Sequence, residues 1–305
     1  MDASTRPPQK RHRSASNLAA ALVAILFSTT QFSFASITEH APLPAPDILL
    51  NTESSAHVIS IATVKSGSEG LELSAKFTEQ SQETVTDVAW TIQSESGDKV
   101  FEGVTSIADA TLPPGDYRVT ARYGTAQILQ GVTVHEGTKL SVSFILNAGG
   151  LRVLPRIKNL SVQSIPSLSK IFALSGPMRG QLIATSRIPG EVLKVSAGDY
   201  RIESRFENGN ALAVTDVNVR PGIMSAVNID HIAGLAKLNM KGAASEAQWI
   251  VKDQDGQALP VIFETTSDVV LKPGHYTAQA QFGGEICNAD FDIEAGQTAN
   301  VILGN

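Results

Sequence analysis

One cysteine in 305 residues, Cys287, excludes an internal disulfide. That scarcity is ordinary for an exported bacterial chain and unusual for a eukaryotic secreted β-domain, which leans on cross-links. Beyond the first 35 residues the histidines are isolated: His40, His57, His135, His231 and His275 form no pair at metal-ligand spacing. The chain has no G-x-S-x-G elbow, no H-E-x-x-H and no glycine-rich phosphate loop. Helical periodicity is missing after the N-terminus. We therefore expect no catalytic residues, no cofactor, no metal and no enzymatic activity. A net charge of −6, without aromatic–basic interleaving, argues against nucleic acid as a partner. Aromatics are few, with two Trp and four Tyr, and what they are used for is legible.

What the chain has instead is a repeat, and a repeat sets architecture before any local pattern does. Leu112-Pro-Pro-Gly115-Asp-Tyr117, Val195-Ser-Ala-Gly198-Asp-Tyr200 and Leu271-Lys-Pro-Gly274-His-Tyr276 are one motif. Six residues after each Tyr stands another aromatic, Tyr123, Phe206 or Phe282. A hairpin turn follows at Gly124, Asn208-Gly209 or Gly283-Gly284. An alternating run then leads to a second glycine, Gly137, Gly222 or Gly296. Trp90 and Trp249 each precede their motif Tyr by 27 residues, and the middle copy has Phe172 near that position. Residues common to the copies read as structural, and the repeat accounts for every Trp and Tyr. None is left over as a sugar-stacking platform. By the same comparison, Asp253-Gln-Asp255-Gly256 matches Ser94-Glu-Ser96-Gly97 and reads as a hairpin turn rather than a calcium loop.

Period-2 alternation with a turn every 8 to 12 residues or so predicts short antiparallel strands. The expected fold class is all-β: three tandem Greek-key β-sandwich modules in a rod, after an N-terminal signal peptide. The modules are placed at residues 57–148, 149–233 and 234–305, abutting without a flexible linker. The Leu-x-Pro-Gly-x-Tyr motif resembles the tyrosine corner of immunoglobulin-like and fibronectin-type domains. It is also similar to PEGA and carboxypeptidase-regulatory-like (transthyretin-like) repeats of secreted bacterial proteins. The resemblance covers residues 57 to 305 and implies a sandwich with an accessory or binding role. It brings no catalytic residues and leaves the strand order open.

Residues 1–35 read as a secretory signal. Arg6, Lys10, Arg11 and Arg13 precede the apolar run Leu18 to Phe27, and Ser33-Phe-Ala35 supplies a small-x-small cleavage site. That run is about half of what a bilayer span requires, so no stable membrane span is expected after cleavage. Residues 36–56, with Pro42, Pro44 and Pro46, read as an extended leader. The expected location is the periplasm or cell surface of a bacterium.

Charge is uneven along the repeats. The middle module holds ten basic against six acidic residues, whereas the first and third modules are each five charges negative. Arg152, Arg156, Lys158, Lys170, Arg179 and Arg187 fall in the upstream half of the middle copy and form the candidate site for an anionic partner. Three functions are carried forward. The first is a non-enzymatic envelope scaffold, spacer or protein-binding adaptor, working through strand edges or end loops. The second is a binder of anionic cell-wall polymer, polysaccharide or peptidoglycan, centred on the basic middle copy. The third is an accessory subunit of an envelope enzyme.

Overall fold

The computed structural model describes residues 56–242 and 247–304. Residues 1–35, read above as a signal, and almost all of residues 36–56, read as a leader, lie outside the described residues. Every regular element described is a strand. None of the described segments is a helix long and apolar enough to cross a membrane.

The first module contains β1 (Ala56–Thr63), β2 (Gly70–Lys76), β3 (Val88–Ser94), β4 (Lys99–Thr105), β5 (Ile107–Thr111), β6 (Gly115–Tyr123), β7 (Ala126–Val134) and β8 (Thr138–Ile145). Its two sheets run in the orders β1-β8-β2-β5 and β4-β3-β6-β7. The second module contains β9 (Ala148–Ile157), β10 (Ser167–Ala173), β11 (Leu182–Ser186), β12 (Val192–Ser196), β13 (Gly198–Phe206), β14 (Leu212–Val219) and β15 (Met224–His231). Its sheets are β12-β9-β15 and β11-β10-β13-β14. The third contains β16 (Gly234–Met240), β17 (Gln248–Asp253), β18 (Ile262–Phe263), β19 (Thr266–Leu271), β20 (Gly274–Phe282), β21 (Glu285–Ile293) and β22 (Thr298–Leu303), in sheets β19-β16-β22 and β18-β17-β20-β21.

One topology is thus written three times. In each module the first repeat strand pairs parallel with the last, β2 with β8, β9 with β15 and β16 with β22. The motif strand pairs antiparallel with its hairpin partner, β6 with β7, β13 with β14 and β20 with β21. Side chains alternate because successive Cβ atoms point to opposite faces. On β6, Tyr117, Val119 and Ala121 face the core while Arg118 and Arg122 face solvent. Only β1 has no counterpart in the other two modules.

The motif tyrosines do what their spacing predicts. The hydroxyls of Tyr117, Tyr200 and Tyr276 donate to the carbonyls of Pro113, Ser196 and Lys272, at 2.7, 2.7 and 3.0 Å. Each closes a loop of four residues and ties the motif turn to its own strand. Trp90 and Trp249 are fully buried, and each indole Nε1 donates to a carbonyl fifteen residues on, Thr105 or Glu264.

The middle module departs from its neighbours here, and Phe172 is not the counterpart of the tryptophans. Trp90 pairs across the sheet with Ala121 and Trp249 with Ala280, each four residues past the motif Tyr. The same place in the middle copy is Ser204, which pairs with Ser169. Phe172 lies an odd number of residues from Ser169, so the pleat turns it to the outer face. Where the neighbours bury an indole, this module buries Ser169, Ser204 and His231.

Candidate functional site

The six basic residues singled out in the sequence are all exposed, but the fold distributes them. Arg152 and Arg156 alternate on the outer face of β9, in the β12-β9-β15 sheet. Lys194 of β12 shares that face, and Asp230 of β15 stands beside Arg156 in the parallel register. Arg152 Nε donates to the Gly190 carbonyl at 3.1 Å. Lys158 lies just beyond β9. Lys170 is on β10, in the opposite sheet, facing Glu203 across the strands. Arg179 sits in the β10–β11 loop, and Arg187 is paired with Glu207 at 2.5 Å. Arg152 and Arg156 are brought together; the other four are on different faces or ends.

The outer strands form a second set of surfaces. β1 borders β8 on one side only and presents eight residues, Ala56 to Thr63, at the sheet edge. Val58, Ile59 and Ile61 on it are 52%, 64% and 66% exposed. Apolar residues uncovered on a long edge strand are uncommon, because unpaired N–H and C=O groups beside apolar side chains invite another strand. In the other sheet of each module, the outer strands β4, β11 and β18 also expose Val104, Leu182 and Phe263.

The third feature is the contact between modules, and it repeats. The β6–β7 tip reaches the edge strand β12, where Thr125 N donates to the Lys194 carbonyl at 2.9 Å. Lys194 Nζ lies 4.5 Å from the centre of the Tyr123 ring and 3.7 Å from Asp87. The β13–β14 tip reaches β19 in the same way. Asn210 N donates to the Val270 carbonyl at 3.2 Å and Val270 N to the Asn208 carbonyl at 2.9 Å. Lys194 and Val270 each stand four residues before the motif glycine, so the two docking points are equivalent. A Cβ at Gly124 would overlap the Lys194 carbonyl, and one at Gly209 would overlap that of Val270. These tip glycines are needed for close approach as well as for the turn. The second junction adds an apolar core shared by both modules, with Ile157, Val162, Ile165 and Phe206 packed against Leu235 and Val270. Sequence reading found the tip glycines only as turns; nothing in one copy's pattern says what its tip touches.

Possible chemistry is limited among the described residues. No group of three or more His, Cys, Asp or Glu is placed to hold a metal ion. Asp253 Oδ1 accepts from Asp255 N and Gln257 N at 3.1 and 2.8 Å, which is a closed turn rather than an ion cradle. Ser204 Oγ and His231 Nε2 lie 3.2 Å apart, but both residues are sealed from solvent and pack the core instead of meeting a substrate. Burial lowers the His231 pKa. Cys287 is half-buried against the core of the third module.

No curated protein sequence matches the chain. Among solved structures it is similar to the TIE protein of Bacillus anthracis at 15% identity and TM-score 0.25, covering 77% of this chain and 50% of that one. It therefore spans half the length of that protein. It is similar to a streptococcal ancillary pilin at 11% identity and TM-score 0.28, covering 80% and 98% of the two chains. For BcpA, the major pilin subunit of Bacillus cereus, the values are 10%, 0.22, 80% and 99%. Residues 76–150, most of the first module and the start of the second, and residues 235–303, in the third, are similar to the family described as a Rhizobiales growth-associated tandem repeat domain.

Proposed function

We propose that this chain is an exported, non-enzymatic protein of the bacterial envelope, a scaffold that captures a protein partner by strand addition along β1. The observation that carries this reading is β1 itself. It is the one strand outside the repeat, it ends its sheet, and it leaves Val58, Ile59 and Ile61 uncovered. A partner strand laid on that edge would satisfy backbone groups and cover those side chains together. Export rests on the signal pattern in residues 1–35. The family description of the repeat, growth-associated, fits a role in the envelope of a growing cell.

The test is photo-crosslinking in the native envelope from a probe at Ser60, with and without Ile59→Lys and Ile61→Lys. The expected result is one discrete protein adduct that survives high salt and disappears in the double variant. An adduct indifferent to both substitutions would remove β1 from the account.

A second reading has its own observation, the shared outer face of Arg152 and Arg156. Wall polymer held there would be released by salt, because exposed charges are screened. Retention on purified wall material that is lost on reversing Arg152 and Arg156 to Glu would move the function to this face. Co-purification of an enzyme with the chain would instead make it an accessory subunit.

A further inference from the structure

We infer that the chain also binds a second copy of itself end to end, the β20–β21 tip of one copy docking on the β5 edge of the next. The two internal junctions define both halves of this contact. The donor half is a hairpin tip with a glycine whose missing side chain lets the backbone meet the neighbour, Gly124 or Gly209. The acceptor half is an outer strand whose residue four places before the motif glycine, Lys194 or Val270, offers its carbonyl outward.

Among the described residues, both halves recur once more without a partner in place. The third donor is Gly283-Gly284, between Phe282 and Glu285, which pair as Tyr123 and Ala126 do in the first tip. Both glycines have positive φ, 58° and 87°, and nothing lies within 4 Å of where a Cβ would stand on either. A two-residue hairpin turn accounts for the positive φ; the open ground around it is what the other two tips lack. The third acceptor is Thr111, four residues before Gly115 on β5, exposed and at the outer edge of its sheet. β1 does not border it, because β1 lies at the opposite edge of the β1-β8-β2-β5 sheet.

By the geometry of the first junction, Gly284 N donates to the Thr111 carbonyl of the second copy, as Thr125 N donates to Lys194. The surfaces are different on the two partners, so the contact is heterologous and does not close on itself; it extends to open chains of molecules. Both end modules are five charges negative. Association therefore strengthens with added salt, which screens their repulsion, opposite to the behaviour of an anionic-polymer contact.

The experiment uses the chain with Cys287→Ser and single cysteines. Thr125→Cys with Lys194→Cys in one chain calibrates the geometry by closing an internal disulfide. Differently tagged Thr111→Cys and Gly284→Cys chains are then mixed and oxidised. The expected product is the mixed dimer, well above the half share that random pairing gives, and its yield rises with salt. Homodimers, a random mixture, or monomers alongside a closed control would overturn the inference. If Gly284→Cys does not fold, sedimentation of the unaltered chain against concentration decides. It should show growth past the dimer, abolished by Thr111→Pro, whose ring removes the edge N–H that corresponds to Val270 N, the donor to the Asn208 carbonyl in the second junction, without disturbing an inner ladder. A monomer at every concentration overturns it equally. Ile59→Lys should leave this association unchanged, so it stands or falls separately from capture at β1.

Discussion

The Glu69 carboxylate accepts the Gly137 N–H at 3.1 Å, and in doing so takes the place of a backbone carbonyl. In the second and third modules the matching glycines, Gly222 and Gly296, donate at 2.8 Å to Ala148 and Ala233, the residues that link each module to the one before. In the first module a buried side chain does the work that this linking residue does in the other two. Glu69 also accepts from Gly67 N at 2.6 Å. These backbone donors hold its pKa below the ordinary carboxylate range.

A lowered carboxylate pKa adds stability that is present above the unfolded-state value, about 4.3, and is lost as pH falls through the folded one. We expect acid to loosen the first module through Glu69, and Glu69→Gln to remove that part of the pH dependence. Amide exchange at Gly67 and Gly137 between neutral and acid pH measures it. Unchanged protection in acid would show that the carboxylate is not the acceptor that matters.

His231 gives a second pH dependence, in the middle module. Burial disfavours its charged form, and its Nδ1 lies toward the Ala211 backbone without a well-formed hydrogen bond. The folded state therefore prefers the neutral ring, and stability falls as pH drops below the unfolded-state value of about 6.5. The equivalent residue in the first module is Leu146, so His231→Leu should fold and flatten stability between about pH 7 and pH 5. Thermal unfolding across that range decides; parallel curves for the two proteins would count against it.

The fold was largely legible because its determinants are local and written three times. The motif tyrosines, both tryptophans and the turn at Gly97 and Gly256 could each be checked against another copy. The Phe172 assignment failed for a physical reason: with a period of two, a displacement of three residues changes the face, and a diverged copy offers no check on register. β1 was hidden because it is outside the repeat and its apolar residues do not alternate with burial. The scatter of Lys158, Lys170, Arg179 and Arg187 was hidden because sequence proximity in a sandwich places residues on two sheets and two ends.

The tyrosine corners are testable one at a time. Tyr117→Phe removes a hydroxyl that is bonded to Pro113, leaving an unsatisfied carbonyl, and should cost about 1 to 2 kcal/mol. Burial pushes the Tyr200 pKa up to about 12. A raised phenol pKa means stability that is complete below about 10 and lost as pH rises toward 12. Phenolate absorbance should show one tyrosine titrating only near that upper limit or on unfolding. A neutral Tyr117→Phe would remove the corner from the stability account.

The tip glycines separate turn strain from docking. Gly97 has positive φ and open space around it, so Gly97→Ala should cost about 1 kcal/mol from backbone conformation alone. Gly209→Ala adds a methyl against the Val270 backbone and should cost about 3 kcal/mol. It should also raise protease sensitivity near Ile232, between β15 and β16. Equal costs at the two sites would mean that the tip does not bear on the next module.

The central claim is that tips docked on edges hold the three modules as one fixed scaffold. Its most direct test is the distribution of distances between spin labels on the first and third modules, placed at the exposed sites Glu102 and Asp290, in Cys287→Ser. We predict a single narrow distribution that broadens in Gly209→Ala. A broad distribution in the unaltered tips would contradict the account, leaving three sandwiches on a string.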